Sequence, residues 1–381
     1  MAYQGSFAIH FAIHQPGWVN LPAPELVSLA ENAAAAGFER VWINDNFKAR
    51  HTYSLLSAIA ARVPCALGTL VTYPYARNPM DMAGAFGTIA ELLAGEGAET
   101  SPSPAALKEL AVGISTGAWA IQGRLVEQPS PTQSVAEAIK ISRKLLAGEE
   151  VSWNSYPLLA SYFHISRDSK FQLKFRAKPR VSFWIPPKGP RMLRLAAEQC
   201  DGVIFNSYTQ YAALPFVRDG SLEQTLREME QKRTASGNLT PLRRIFKIDV
   251  SLDEDGDAAR SFARNFVSFN AADDADRYRR LGLPDDQLRA LQERYQRGSE
   301  IADAASLVGK ELVDWVVLAG TPREVSDRFA EYVDCAGRLG FEQVILAVPL
   351  GPDPRKVVGL ASELVGRVTG KPHGMHPTVS S

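Results

Sequence analysis

The chain has 381 residues, enough for one large α/β barrel with insertions or for two ordinary domains, and its 45% hydrophobic content is that of a globular protein with a full core. Lys+Arg and Asp+Glu both total 42, so charge gives no case for a nucleic acid or an anionic membrane surface as partner. Cys65, Cys200 and Cys335 are odd in number and far apart, a pattern of reduced thiols rather than of a disulfide framework or a zinc site, and no metal is expected.

The N-terminus, Met1-Ala2-Tyr3-Gln4, lacks a basic region followed by a long apolar core, and no run of about 18 apolar residues occurs. A cytoplasmic location is the expectation. Phe7 to His14 alternates bulky Phe and Ile with Ala and His, as a strand does. As the first strand of a barrel it would turn the bulky face to outer helices and both histidines inward. His14 would then lie at the carboxyl end, near any active site, and His10 deeper as a hydrogen-bonded core residue. A helix follows from about Pro24 to Ala36, closed by Gly37. The second strand, Phe38 to Ile43, ends in the polar run Asn44-Asp45-Asn46.

A short helix and a strand over Cys65 to Thr72 come next, then a loop from Tyr73 to Pro79 and a helix from about Met80 to Ala94. Gly95 to Ala105 holds turn formers and almost no apolar side chains, and reads as a surface loop. Leu110 to Ile114 is a fourth strand, followed by Ser115-Thr116-Gly117-Ala118-Trp119 and a helix from about Thr132 to Ala147. Glu149 to Lys178 breaks this rhythm with alternating polar and aromatic residues, consistent with short strands or an excursion over the barrel mouth.

Val181 to Ile185 is a strand, and Gly202 to Phe205 another. Between them lie the turn Pro186-Pro187-Lys188-Gly189-Pro190 and an amphipathic helix with Met192, Leu193, Leu195 and Ala196 at helical spacing. That turn falls at the carboxyl end of a parallel sheet. Gly189 permits close backbone approach, Pro190 suits the first helical position, and Lys188 with Arg191 adds positive charge, so the helix N-terminus can hold a phosphate. The alternative is a plain turn with two solvated cations.

Tyr208 to Ser236 reads as helical, Ile245 to Val250 as a strand, and Ala258 to about Leu307 as a charged helical insertion. Thr321-Pro322-Arg323-Glu324 is a capping box opening a helix to about Leu339, and Phe341 to Val348 is the last strand. A final helix from Asp353 to Val368 precedes a polar tail, 369–381, expected to be disordered. The eight strands, each followed by a helix, give a (β/α)8 TIM barrel over 1–368 with insertions at the carboxyl face near 95–108, 149–178 and 255–307.

Several segments together resemble the bacterial luciferase-like superfamily, in its branch of coenzyme F420-dependent reductases related to methylenetetrahydromethanopterin reductase. They are Ala36 to Asp45, Leu67 to Thr72 with Arg77-Asn78-Pro79, Gly189 to Ala196, Asp201-Gly202-Val203, and Ala319 to Val325. The resemblance implies a phosphate loop at Lys188, Gly189, Pro190 and Arg191. It implies Asp45 beside the deazaflavin ring, a cis peptide at Leu70-Val71 pressing on that ring, and Thr72 and Gly117 lining the same pocket. It also implies a homodimer.

Where the resemblance places a histidine after the aspartate, this chain has Asn46, which cannot usefully exchange a proton, and the glutamate after strand four is replaced by Ala118. His14 is the first replacement candidate, with Asp45 and Tyr73 behind it, and Trp119, Trp153 and Tyr73 would shape an aromatic substrate pocket. The implied function is hydride transfer between deazaflavin and a C=C, C=N or C=O group of a small organic substrate. An FMN-dependent monooxygenase is the alternative within enzymes, and a barrel that binds its cofactor without turnover is the alternative outside them. An aldolase-type barrel is disfavoured because no Schiff-base lysine at an interior strand position is evident from the sequence.

Overall fold

A computed structural model describes residues 3–95, 108–117, 126–176, 180–209, 211–280, 283–296 and 305–370; most of the Gly95 to Ala105 loop, Ala118, Trp119 and the tail from 371 lie outside them. Eight parallel strands close on themselves: β1 (Ser6–Phe11), β2 (Arg40–Ile43), β3 (Ala66–Thr72), β4 (Leu110–Ile114), β5 (Val181–Ile185), β6 (Gly202–Asn206), β7 (Arg243–Leu252) and β8 (Gln343–Leu350). β8 pairs with both β7 and β1, and β6 with β7, so no barrel edge is left open. This is a (β/α)8 barrel.

The alternation in β1 works as the sequence implies. Phe7, Ile9 and Phe11 join the outer core shared with the helices, whereas Ala8 belongs to the interior cluster with Trp42, Trp184, Ile204, Ile245 and Ile345. The strand ends at Phe11, so His14 sits on the loop beyond it rather than on the strand. The outer layer is α1 (Ala23–Ala35), α2 (Thr52–Ala60), α3 (Pro79–Ala94), α4 (Pro131–Leu146), α5 (Pro190–Gln199), α6 (Ser221–Ala235), α7 (Gly256–Asp273), α8 (Pro322–Arg338) and α9 (Pro354–Thr369). The α8 capping box is formed, with Thr321 accepting from the Glu324 amide and the Glu324 carboxylate accepting from the Thr321 amide.

Two indole rings fill the lower interior. Trp42 lies opposite Gly68 in the β2–β3 register, and Trp184 opposite Gly202 in the β5–β6 register. A Cβ on Gly68 would sit 2.3 Å from the Trp42 ring, and one on Gly202 2.1 Å from the Trp184 ring, so each glycine makes room for its neighbour. Below them the amino end is closed by charge. Glu109 accepts from Arg40 at 3.1 Å and from Arg243 at 2.7 and 3.0 Å, while Gln343 Oε1 takes the Trp42 indole N–H at 3.1 Å. Burial alone would raise the Glu109 pKa, but Arg243 and Arg40 hold it below the ordinary carboxylate value.

Two segments depart from the sequence reading, and a third agrees with it except at one tryptophan. Residues 149–176 do form short strands, Val151–Ser152 antiparallel to Lys170–Phe171, with a helix Pro157–Tyr162 between; but Trp153 packs in the outer core, away from the mouth. Tyr208 to Ser236 is not one helix: turns at Tyr208 and over Tyr211 to Ala213 precede Leu214–Arg218 and α6. A three-residue strand, Leu318–Gly320, was not anticipated and pairs with the end of β7. The segment between α7 and that strand adds helices Ala275–Arg280, Asp285–Gln296 and Lys310–Val316, which share a second hydrophobic cluster with α7 around Val267, Tyr278, Leu291 and Val313. No helix among the described residues is long and apolar enough to cross a membrane.

Gly68→Ala should cost about 1–3 kcal/mol in chemical denaturation, because the added methyl meets a fully buried ring that has nowhere to go. Combining it with Trp42→Leu should cost less than the sum of the two single changes, and strict additivity would show that the pair does not interact.

Candidate active site

The carboxyl ends of all eight strands face one cleft of about 1050 Å³, a volume that includes solvent at its mouth. Side chains reach it because inward positions recur every second residue along each strand and the loops continue that direction.

On the β2–β3 side the wall is Asp45, Asn46, Leu70, Val71 and Tyr73. The Leu70-Val71 peptide is cis, and the Asp45 amide donates to the Val71 carbonyl at 3.1 Å, which ties the two loops together. Asp45 is buried and heavily engaged. Arg77 donates to Oδ1 at 2.9 Å and to Oδ2 at 3.3 Å, and Thr72 donates to Oδ2 at 2.9 Å. Thr72 in turn takes the Tyr53 hydroxyl at 2.7 Å. A carboxylate has about four acceptor sites, so three donors occupy most of them and fix the orientation of Asp45. Asn46 Oδ1 is committed to the Lys48 amide at 2.9 Å, and its amide nitrogen is the end left for the cleft.

The opposite wall carries groups the sequence reading did not select. β7 alternates Ile245, Lys247, Asp249 toward the interior, and Lys247 lines the cleft while pairing with the fully buried Asp249. Ser207 Oγ lies 3.4 Å from Asp249 Oδ2, and the ring of Tyr208, also on the wall, lies 5.0 Å from Lys247 Nζ. Burial pushes the Asp249 carboxyl up to about 6, against the pull of Lys247 and Ser207. An interior lysine on a barrel strand is therefore present, which removes the sequence argument made against aldolase-type chemistry. The signal was the Ile245-Phe246-Lys247-Ile248-Asp249 alternation, in which the two charges share the face of Ile245.

His10 is the second correction. It lines the cleft rather than resting as a hydrogen-bonded core residue, and neither ring nitrogen has a partner among the described residues. Burial first, then Lys247 and His14, depress its pKa well below the usual histidine value, so the ring is neutral. Burial also lowers His14, with Asn44 opposing, and its Nε2 contacts the Gln15 amide at 3.1 Å. Buried Asn44 Oδ1 and Asn206 Oδ1 are unsatisfied as well. Unpaired buried polar atoms gathered around one cleft mark a place where a polar ligand completes the bonding.

Lys188 lines the rim and pairs with Asp273 at the end of α7, at 2.9 Å. Gly189 is the N-cap of α5, no side chain caps that end, and a Cβ on Gly189 would enter open space. Its backbone is extended, so the position does not demand glycine for conformation. Thus His14, Asp45, Asn46, Leu70, Val71, Tyr73, Gly117 and Lys188 gather at the cleft, whereas Thr72 stands behind Asp45, and Gly189, Pro190 and Arg191 mark the neighbouring helix end. Trp153 takes no part, and Phe266, Phe269 and Asn270 of α7 supply the wall that the sequence did not identify.

The luciferase-like monooxygenase family profile matches residues 6–96 and 109–339. A 5,10-methylenetetrahydromethanopterin reductase of Archaeoglobus fulgidus is 28% identical over 88% of this chain and 91% of its own. An F420-dependent glucose-6-phosphate dehydrogenase of Rhodococcus erythropolis is 25% identical over 88% of this chain and 90% of its own. Among solved structures, the coenzyme F420-dependent tetrahydromethanopterin reductase of Methanopyrus kandleri superposes with a TM-score of 0.68 at 20% identity, covering 96% of this chain and 99% of that one.

Two outcomes follow from the site itself. Arg77→Leu strands the buried Asp45 charge and should destabilise the fold by about 3 kcal/mol, most of it recovered in Arg77→Leu/Asp45→Asn, as read by denaturant midpoints. His10 is neutral when folded and takes a proton when unfolded, so its contribution is present above the unfolded pKa and lost as pH falls below it. The drop in stability between about pH 7 and 5.5, bracketing the usual histidine pKa, should therefore shrink in His10→Gln.

Proposed function

The chain belongs to the luciferase-like monooxygenase family, and within it we propose a coenzyme F420-dependent oxidoreductase that moves a hydride between the deazaflavin and a C=C, C=N or C=O group of an organic substrate. The observation that carries this reading is the cleft itself, in a chain whose likeness to F420-dependent relatives runs along about nine-tenths of both lengths.

The residues present fit such a cofactor. The uncapped N-terminus of α5, open above Gly189 and flanked by Lys188 and Arg191, suits a phosphate, because unpaired helical N–H groups and the helix dipole favour an anion there. Leu70 and Val71 offer an apolar wall for a flat ring, and Asp45, Asn46 and Gly117 stand beside it. When bound, the deazaflavin supplies the hydride; the protein orients the ring, limits water and provides a proton. Asp45, clamped by Arg77, positions rather than exchanges protons, which leaves His14 and Tyr73 as candidates from the first reading and brings Lys247 into play. In this reading the chain works as one barrel with insertions, in the cytoplasm and as a homodimer; sedimentation of the purified protein tests the last of these.

Binding is the deciding measurement. Fluorescence quenching should show micromolar or tighter affinity for coenzyme F420 and markedly weaker affinity for FMN. Arg191→Ala should weaken F420 binding about tenfold, the size of one charge-assisted contact. Selective binding of reduced FMN would move the assignment to a monooxygenase, and binding of neither would leave a barrel without this activity.

A further inference from the structure

We propose that Lys247 is the oxyanion-binding residue of the substrate half of this cleft, and that the substrate is a conjugated carbonyl compound, an enone or enal. The inference deepens the reductase reading and rests on it for the hydride.

Position is the first argument. In the closed order of eight strands β3 and β7 lie four strands apart, so Lys247 faces the cleft from the wall opposite Leu70 and Val71. A ring held on the β3 side and an ammonium on the β7 side leave the substrate between them. The second argument is donor capacity. An ammonium has three N–H donors, and among the described residues the one hydrogen-bond acceptor of Lys247 is Asp249. Asp249 is fully buried, held by Ser207, and occupies one side of the Lys247 ammonium, so a donor remains for the cleft. The third is the unsatisfied polar edge around it: both nitrogens of the neutral His10 and Asn206 Oδ1 are buried on the same cleft without partners.

Separation of the two walls selects the substrate class. A simple ketone would need its reacting carbon and its oxygen at one place, whereas in an enone the β-carbon that accepts hydride and the oxygen that accepts charge lie at opposite ends of a conjugated unit. Hydride from the reduced deazaflavin forms the new C–H bond at the β-carbon, and the C=C electron pair moves to give an enolate. The Lys247 ammonium stabilises the oxygen and passes it a proton, the enol tautomerises with a proton from water at the α-carbon, and Lys247 is reprotonated from solvent. The balance is reduced cofactor, enone and one proton going to oxidised cofactor and saturated ketone.

The test uses the full-length protein and the variant Lys247→Gln/Asp249→Asn, which removes both charges together and leaves no buried charge unpaired. 4-Nitrophenol, titrated without cofactor just below its own pKa, should turn yellow on binding the wild type, as the phenolate is held at Lys247, and should not do so with the variant. An equal colour change with both, or none with the wild type, overturns the oxyanion site. Coenzyme F420 binding should be the same for both proteins within about threefold, because the double change removes one positive and one negative charge and leaves the net charge of the cleft unaltered. If neither binds F420 but the nitrophenolate difference persists, the deazaflavin reading fails while the oxyanion site stands. With reduced F420, the wild type should convert cyclohex-2-en-1-one to cyclohexanone, and the variant should lose about a hundredfold in kcat, the effect of removing one oxyanion donor. Absence of that conversion, or preferential reduction of cyclohexanone to the alcohol, overturns the conjugated-carbonyl assignment.

Discussion

The packing of Trp42 against Gly68 and of Trp184 against Gly202 is the constraint on which the rest of the barrel depends. Eight-stranded barrels have an interior just wide enough to be filled by side chains, and here two indoles fill most of the lower half. Each needs a neighbouring strand position with no side chain at all. The rings also shape the charged plug beneath them: Arg243 lies over the Trp184 ring at 4.7 Å and Arg40 over the Trp42 ring at 5.3 Å, and both guanidinium groups converge on Glu109. Such an arrangement closes the amino end with paired charge, and what remains of the interior opens toward the carboxyl end.

That division explains why the cleft is chemically mixed. Below, the inward positions are apolar; higher on the same faces stand His10, Lys247 and Asp249. Charged groups survive there because each is paired or neutralised: Asp45 by Arg77, Lys247 by Asp249, His10 by remaining unprotonated. The two walls differ in what they can still offer. Asp45 has spent its acceptors on Arg77 and Thr72, whereas Lys247 retains donor capacity.

Much of this was legible in the amino-acid order. The alternation of β1, the Gly37 stop after α1, the α8 capping box and all eight strand positions follow from local rules, and they suffice for the barrel. So do the cleft positions of Asp45, Asn46 and Lys188, because residues just past a strand end can lie nowhere else. What was not legible depends on relations between distant segments. His10 looked like a core residue because period-two alternation gives its direction but not whether a partner waits for it. Lys247 is hidden from a sequence reading because a lysine within a strand reads as solvent-facing until barrel closure shows that its side of β7 is inside. Trp153 reads equally well as a pocket or a core aromatic, and only the packing of 149–176 against the outer layer decides.

β7 is longer than its partners, and its end pairs Leu252 with Gly320. The residues between those two positions leave and rejoin the barrel at adjacent points of a single ladder, and they carry their own hydrophobic cluster. In evolutionary terms the insertion is therefore an exchangeable wall. Its length bears little on closure, because it leaves and rejoins at one ladder, while its inner face, Phe266, Phe269 and Asn270, lines the cleft. A new substrate shape can be acquired here without altering one residue of the eight-stranded frame.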